Sequence, residues 1–429
     1  MISVLVAILL VLLLAFGMPI AYSLGIAGAV GIFSIAGFQG MLTQISTTAY
    51  RAAADSTLAS IPLFVLMAEL MHQGGMARKV FDAAYKITGR LPGGVAIATV
   101  LASAGFSAVS GSSTASTGTL AAISLPEFKR LGYGMSAATG IVAVAGTLAI
   151  MIPPSIAFII YGVLTETSIG KLLIAGIIPG IMTATLYGVG ILLWARLDPK
   201  TLPKGERWSW AEKWAAIRQI GGFLLIVGII FVALYGGIAT ATEVAAIGAF
   251  AALIYLVATR RLDFAKFLVA SRRTIAITAM IMLIVMGALV FGYFLTITRT
   301  PQLIIEWIQR SGMTPWTVMS LILLIYFVLG CLMDELAILL ITLPITFPLI
   351  VKLGFDPIWY GVIIVKMVEI GLVAPPVGMN VFVVSATTGV PVGTVYRGTA
   401  YMLMFEFVTL GLLLAFPALS TWLPSLMTG

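Results

Sequence analysis

Residues 353–384 read LGFDPIWYGVIIVKMVEIGLVAPPVGMNVFVV. Almost every position is apolar, which suits lipid better than water. Pro375 and Pro376 interrupt the apolar region 357–388. Proline lacks an amide donor and its ring clashes one turn back, so a helix must break there. Carbonyls freed at bilayer depth are tolerated only where protein or a water-filled cavity surrounds them. Lys366 and Glu369 stand three apart on one helical face. Such a pair either satisfies itself or meets a substrate, and self-pairing is the simpler reading.

The rest of the chain has the same solvent preference. Of 429 residues, 61% are apolar and 9% charged, against roughly 25% charged in soluble domains. The net charge is +8, but the basic residues cluster between apolar stretches. They report membrane orientation, and no basic-aromatic interleaving suggests a nucleic-acid surface. Cys331 is the single cysteine and His72 the single histidine. This excludes an intrachain disulfide, a histidine-cluster metal site and a histidine-rich proton relay. Cys331 reads as a packing residue beside a polar tip, and His72 as an inert residue near an interface. The first apolar run lacks a basic flank and a small-residue cleavage site, so a cleaved signal peptide is not expected.

Apolar spans are read at 2–16, 18–37, 57–73, 135–165, 170–196, 219–236, 240–259, 275–297 and 393–422. The first two are short enough to form one broken element. Regions 93–128 and 315–351 are apolar but carry polar residues in their middles. The longest polar stretch, 197–218, reads LDPKTLPKGERWSWAEKWAAIR and is taken as a cytoplasmic linker between halves 1–196 and 219–429. Walking outward from it places Arg260, Arg261, Lys266, Arg272 and Arg273 inside, as the positive-inside rule asks. Arg78, Lys79, Lys86 and Arg90 join Lys129 and Arg130 on that side only if 93–128 is a re-entrant hairpin. The same walk makes 315–351 a hairpin entering from outside.

The halves share landmarks about 222 residues apart: Pro153-Pro154 with Pro375-Pro376, Ser112 with Asp334, Gly176 with Gly398. Opposite hairpin orientations and repeated landmarks indicate two inverted-topology repeats. Each holds a re-entrant hairpin (93–128, 315–351) and a proline-broken helix (135–165, 357–388). Substrates and ions bind near the midplane in such folds, where broken helices end.

Four elements can carry chemistry. The first tip places Ser107, Ser110, Ser112, Ser113, Thr114 and Ser116 within ten positions, a polar density that suggests binding more than helix packing. Opposite it stand Gly146, the Pro153-Pro154 break and Ser155. The second tip holds Gly330, Met333 and Asp334, with Thr342 on the returning arm. Asp334 caps a helix, binds a ligand, or does both. Its partner runs from Gly371 through Pro375, Pro376 and Gly378 to Asn380, whose amide can donate to a carboxylate or accept around an ion. Residue chemistry alone does not separate ion ligands from substrate ligands.

These stretches, with GMPIAYSLG at 17–25, SGSSTAS at 110–116, AIMIPPS at 149–155 and MDELAILLITLPITFPLI at 333–350, resemble the large membrane subunit (DctM-like, M component) of tripartite ATP-independent periplasmic (TRAP) transporters. The resemblance spans nearly the whole chain. It implies an all-α polytopic elevator-type fold in the bacterial inner membrane, importing a small organic acid with sodium. It also implies a periplasmic substrate-binding protein and a small four-helix membrane subunit. With no four-helix segment ahead of residue 1, that subunit is expected to be a separate chain. One sodium site would lie between the first tip and the break near 146–153: Ser107, Ser110, Ser112, Ser113, Thr114 and Gly146. The other would lie between the second tip and the break near 371–378: Gly330, Met333, Asp334, Thr342, Gly371 and Gly378. Ser116, Pro153, Ser155, Pro375, Pro376 and Asn380 would meet substrate, and no organic cofactor is implied. Two competitors stand beside this reading. One is a sodium/anion symporter working without a binding protein. The other is an intramembrane serine hydrolase, for which Ser110 has only His72 as a base and no oxyanion motif.

Overall fold

The computed structural model describes residues 2–427, with positions 108 and 109 described by their backbone alone. Those residues form helices and no β-strand. Helix α1 spans Ile2–Ala15, α2 Ile20–Ala54, α3 Ser60–Gln73 and α4 Met76–Thr88. Next come α5 (Gly94–Ser110), α6 (Ser113–Arg130), α7 (Met135–Met151), α8 (Ile156–Thr165), α9 (Ile169–Ala175) and α10 (Ile177–Leu197). The middle of the chain holds α11 (Trp210–Gln219), α12 (Gly221–Tyr235), α13 (Ala241–Ala258), α14 (Phe264–Ile297) and α15 (Thr300–Ser311). The remainder is α16 (Pro315–Leu332), α17 (Glu335–Lys352), α18 (Pro357–Val373), α19 (Met379–Thr388), α20 (Val392–Ala415) and α21 (Ala418–Ser425). Among the described residues, seven helices are long and apolar enough to cross a bilayer, or nine if each bent pair is one span. Large apolar side chains such as Leu5, Phe33, Leu225 and Phe250 stay exposed, which is stable only against lipid.

Three elements run beyond their expected bounds. Helix α2 continues to Ala54, where the apolar reading stops at 37, and Gly37 (φ 69°) kinks it. In its polar half Ser46 and Thr47 fold their hydroxyls back onto the Leu42 and Thr43 carbonyls, at 2.9 and 2.7 Å, so they need no partner outside the helix. Helix α14 begins at 264 rather than 275, where the Asp263 carboxylate caps the Lys266 amide at 2.8 Å. Arg272 and Arg273 therefore sit within a helix. The second half of the linker is helical too, started by a capping box between Ser209 and Glu212. The Ser209 amide, then its hydroxyl, holds the exposed Glu212 carboxyl below its ordinary range.

Helix boundaries keep the spacing of the sequence landmarks. The offset of about 222 residues carries Ser113–Arg130 onto Glu335–Lys352, and Met135–Met151 onto Pro357–Val373. Helices α5 and α6 form a closed pair: the Tyr133 hydroxyl, just past α6, accepts from the Val95 amide at 3.3 Å. It also donates to the linker at Pro203 (2.8 Å). Arg130 meets Glu206 at 2.8 Å and the Lys86 ammonium lies 5.1 Å from the Trp208 ring centre, so one residue of each basic cluster flanking 93–128 reaches the linker. The bases of α16 and α17 meet through Trp316 and Phe355, ring centres 5.3 Å apart.

Two groups of helices result. In one, α14 packs along α2 and α3, and α13 along α3. In the other, α7 packs on α5, α6 and α20, while α18 packs on α16 and α20. The α7–α20 crossing needs glycine on both sides. A side chain on Gly140 would overlap the Gly398 backbone, and one on Gly398 the Ser136 carbonyl. Close backbone approach of this kind is how membrane helices gain packing without a hydrophobic drive.

Candidate functional site

At the first tip, α5 ends on Gly111 in the left-handed region (φ 64°), and its amide donates to the Ser107 carbonyl at 3.4 Å. A Cβ there would lie 3.0 Å from the Pro154 carbonyl, so tip and break touch through backbone. Helices α7 and α8 meet at that break with a 40° bend, and the Pro153-Pro154 bond is cis. Ser155 caps α8, accepting from the Phe158 amide (3.3 Å) while donating to the Ile150 carbonyl (2.6 Å). Ser107 is buried and donates to Ser103, whose hydroxyl reaches the Ala145 carbonyl at 2.5 Å. Ser110 donates to the Ser112 carbonyl (3.4 Å), and Ser112 pairs with Thr114 (3.3 Å).

The second tip repeats the plan. Asp334 caps α17, accepting from the Leu336 amide at 3.2 Å. The Gly378 amide donates to the Cys331 carbonyl at 3.0 Å, tying tip to break. A Cβ on Gly330 would stand 2.9 Å from Gly371 Cα. Thr342 lies two turns from the tip and donates to Tyr326 (2.5 Å) and the Ile338 carbonyl (2.6 Å). Pro375 lies apart, lining a shallow groove with Ala400, Leu403 and Phe407. The Tyr396 hydroxyl takes up the carbonyls of Pro376 and Val377, at 2.9 and 2.6 Å.

Asn380 ties the second break to the first tip. The Asn380 amide nitrogen donates to the Ser113 hydroxyl (2.7 Å) and to the Ala143 carbonyl (3.2 Å). Its carbonyl oxygen has no hydrogen-bond partner, nor do the buried hydroxyls of Ser116 and Thr117 or one Glu335 oxygen. Unpaired buried oxygens are costly, and a hard cation satisfies oxygen donors of this type. Removing the bridge by Asn380→Ala is expected to cost about 1–3 kcal/mol, the range for stranded buried polar groups. Thermal unfolding of the purified chain checks this; an unchanged midpoint would remove the bridge from the argument.

A cavity of about 490 Å³ opens in front of both tips. Ser110, Ser112, Thr114, Asp334 and Glu335 line one side; Glu69 and His72 of α3 and Arg273, Ile277 and Met280 of α14 line the other.

A family model, "Tripartite ATP-independent periplasmic transporter, DctM component", matches residues 7–419. This chain belongs to the DctM family. DctM relatives include the C4-dicarboxylate TRAP transporter large permease protein of Pseudomonas aeruginosa, 38% identical and covering 94% of both chains. The sialic acid TRAP large permease of Vibrio cholerae is 31% identical over 97% of each chain. The ectoine TRAP large permease of Halomonas elongata is 30% identical over 99% of each. The crystal structure of the Alcanivorax borkumensis YdaH transporter shares the fold. Its TM-score is 0.63 with 15% identity, over 90% of this chain and 89% of that one. The chain is therefore a multi-pass permease of the bacterial inner membrane, and its relatives are named as permease components, not enzymes. The family works with a small membrane subunit and a periplasmic binding protein.

Several DctM residues at this site escape a local reading. Thr117 stands one turn beyond the hydroxyl-rich tip, and a side chain on Gly146 would run into it. Glu335 follows Asp334 and is the more deeply buried of the two, 2% exposed. Arg273 reads as one more cytoplasmic charge until α14 is extended back to 264. The spacing 273, 277, 280 then puts it on the cavity face. His72, read as inert, shares the opposite wall. Lys366 and Glu369 do not line the cavity. Lys366 lies fully buried, donating to Glu369 (2.8 Å) and Thr183 (3.2 Å), and it also contacts Glu406 of α20. The sequence pair is thus three charges, and Glu406 is visible only once α18 and α20 are packed.

Proposed function

We propose that this chain is the translocating subunit of a sodium-driven importer of a small organic acid, delivered by a periplasmic binding protein. The observation that carries it is the single cavity faced by both hairpin tips, each seated on its own broken helix. The printed names of relatives, among them carriers of C4-dicarboxylates and sialic acid, favour an acid as cargo.

In this reading the two halves are inverted repeats, and the helices carrying the tips move as one body past a scaffold of α2, α3, α13 and α14. Sodium is a co-substrate here. The first site draws on Ser107, Ser110, Ser112, Ser113, Thr114 and Gly146, and the second on Gly330, Met333, Asp334, Gly371, Gly378 and, further along α17, Thr342. The stranded hydroxyl of Thr117 adds an uncharged donor of the right type. Ser116, Pro153, Ser155, Pro376 and Asn380 are assigned to substrate, and Pro375, on its separate groove, is left out of this site. The physical logic is charge. An acid entering beside Asp334 and Glu335 meets repulsion, which bound cations offset. A net inward positive charge is then driven at roughly 2.3 kcal/mol per charge per 100 mV.

The test is uptake into proteoliposomes holding this chain, its small subunit and the binding protein. Uptake is expected to need an inward sodium gradient and the binding protein together. Equal uptake in potassium would remove sodium, and equal uptake without the binding protein would favour a stand-alone symporter. Asp334→Ala is expected to abolish the sodium-dependent component while leaving membrane insertion intact. Wild-type uptake by that variant would end the role assigned to Asp334.

A further inference from the structure

Among the described residues, the cavity in front of the tips is lined by three carboxylates, Glu69, Asp334 and Glu335, and by one permanent cation, Arg273. Only His72 adds a second basic group to the lining. Glu69 and Arg273 face each other across α3 and α14, with Nη1 and Oε2 3.8 Å apart. That is too long for a hydrogen bond, and the Glu69 oxygen nearest Arg273 has no hydrogen-bond partner at all. Glu69 is largely covered, with its side chain 15% exposed, whereas Arg273 is 55% exposed. A carboxylate thus sits beside the one guanidinium of the cavity without gripping it.

We propose that Arg273 is the receptor for the carboxylate of the cargo on the scaffold side, and that Glu69 is its built-in competitor. This rests on the organic-acid reading above. A free acid can meet the guanidinium fork with two parallel hydrogen bonds, which Glu69 does not make. It displaces Glu69 on arrival. When the acid leaves, Glu69 returns to Arg273 and lowers the chance of rebinding. The pair therefore sets release from this face rather than capture. Screened, half-exposed ion pairs are weak, which keeps the exchange reversible.

The position to probe is Ala115, an exposed residue in the wall of the same cavity. In full-length Ala115→Cys protein with its small subunit, alkylation at position 115 is followed by mass spectrometry. The reagents are iodoacetate, a small carboxylate, and iodoacetamide, its uncharged counterpart. The ratio of their rates cancels changes in thiol reactivity. Glu69→Gln is expected to raise the iodoacetate-to-iodoacetamide ratio on the order of tenfold, within the range by which a local field concentrates counter-ions. Arg273→Gln is expected to lower it. In the Arg273→Gln background, Glu69→Gln is expected to change it little, because Glu69 acts by occupying the arginine. Glu69→Asp keeps the charge but withdraws the carboxylate, and is expected to fall between wild type and Glu69→Gln. The same gain from Glu69→Gln with and without Arg273 would reduce Glu69 to a general field effect and overturn the proposal. So would a ratio blind to Arg273. The assay needs no transport. The expected ratios without sodium-driven uptake would keep the anion receptor and discard the importer reading, and the reverse result would do the opposite.

Discussion

Lys366→Met is expected to leave little folded protein after detergent extraction. The ammonium is fully buried between Glu369 and Glu406, and Thr183 is its remaining partner. Without it, two carboxylates face each other far from water, and one Glu369 oxygen already has no hydrogen bond to lose. Removing one partner of a buried ion pair costs about 3–5 kcal/mol. A folded domain has roughly 5–15 kcal/mol in total. The damage should reach far, since the cluster joins α7, α10, α18 and α20 through Thr147, Tyr187 and Thr183. Neutral replacement of all three charges (Lys366→Met with Glu369→Gln and Glu406→Gln) is expected to recover most of the folded yield, because the cost lies in unpaired charge. Size-exclusion recovery and unfolding temperature of wild type, Lys366→Met and the triple mutant are the measurements. A single mutant as stable as wild type would show that these groups are not ionised partners. Failure of the triple mutant to recover would show that shape, not charge, is the requirement.

The second large effect is expected from Gly371→Val. Gly371 lies backbone to backbone against Gly330, and a side chain on either would overlap the other helix. No rotamer relieves a clash with main chain, so α16 must move off α18. Overpacking of this kind costs about 1–3 kcal/mol in stability. The functional cost should be larger, because the displaced strip leads directly to the Asp334 tip. Uptake is expected to vanish while some folded protein remains, with Gly371→Ala intermediate. Gly411→Val, where a side chain meets open space, is the control expected to transport normally. Normal uptake by Gly371→Val would mean that the second tip need not rest on its broken helix.

Much of this was legible before any coordinates. Paired prolines announced both helix breaks, because proline's missing amide acts locally. Clustered hydroxyls and a lone aspartate announced both tips, because polar groups in an apolar run need a reason. Hydropathy was least useful where helices are held by something other than apolar side chains. The polar half of α2 satisfies its hydroxyls on its own carbonyls, and α14, capped by Asp263, starts eleven residues ahead of its apolar run. Pairwise partners from distant segments were beyond reach. Nothing near Lys366 in sequence points to Glu406, and nothing near Glu69 points to Arg273. Charge also misled by having two meanings. Arg273 satisfies the orientation rule and faces the cavity, and only the extended helix distinguishes it from Arg272.

Asn380 sits on the helix after the second break, yet its amide holds Ser113 at the first tip and Ala143 beside the first break. A displacement of the first tip is therefore passed to the helix after the second break through this side chain, and the reverse. The consequence is one of fidelity. If the proposed symport holds, loading at one end of that contact would be felt at the other, and slippage, with one solute crossing unaccompanied, would be opposed by geometry before any gate has to close.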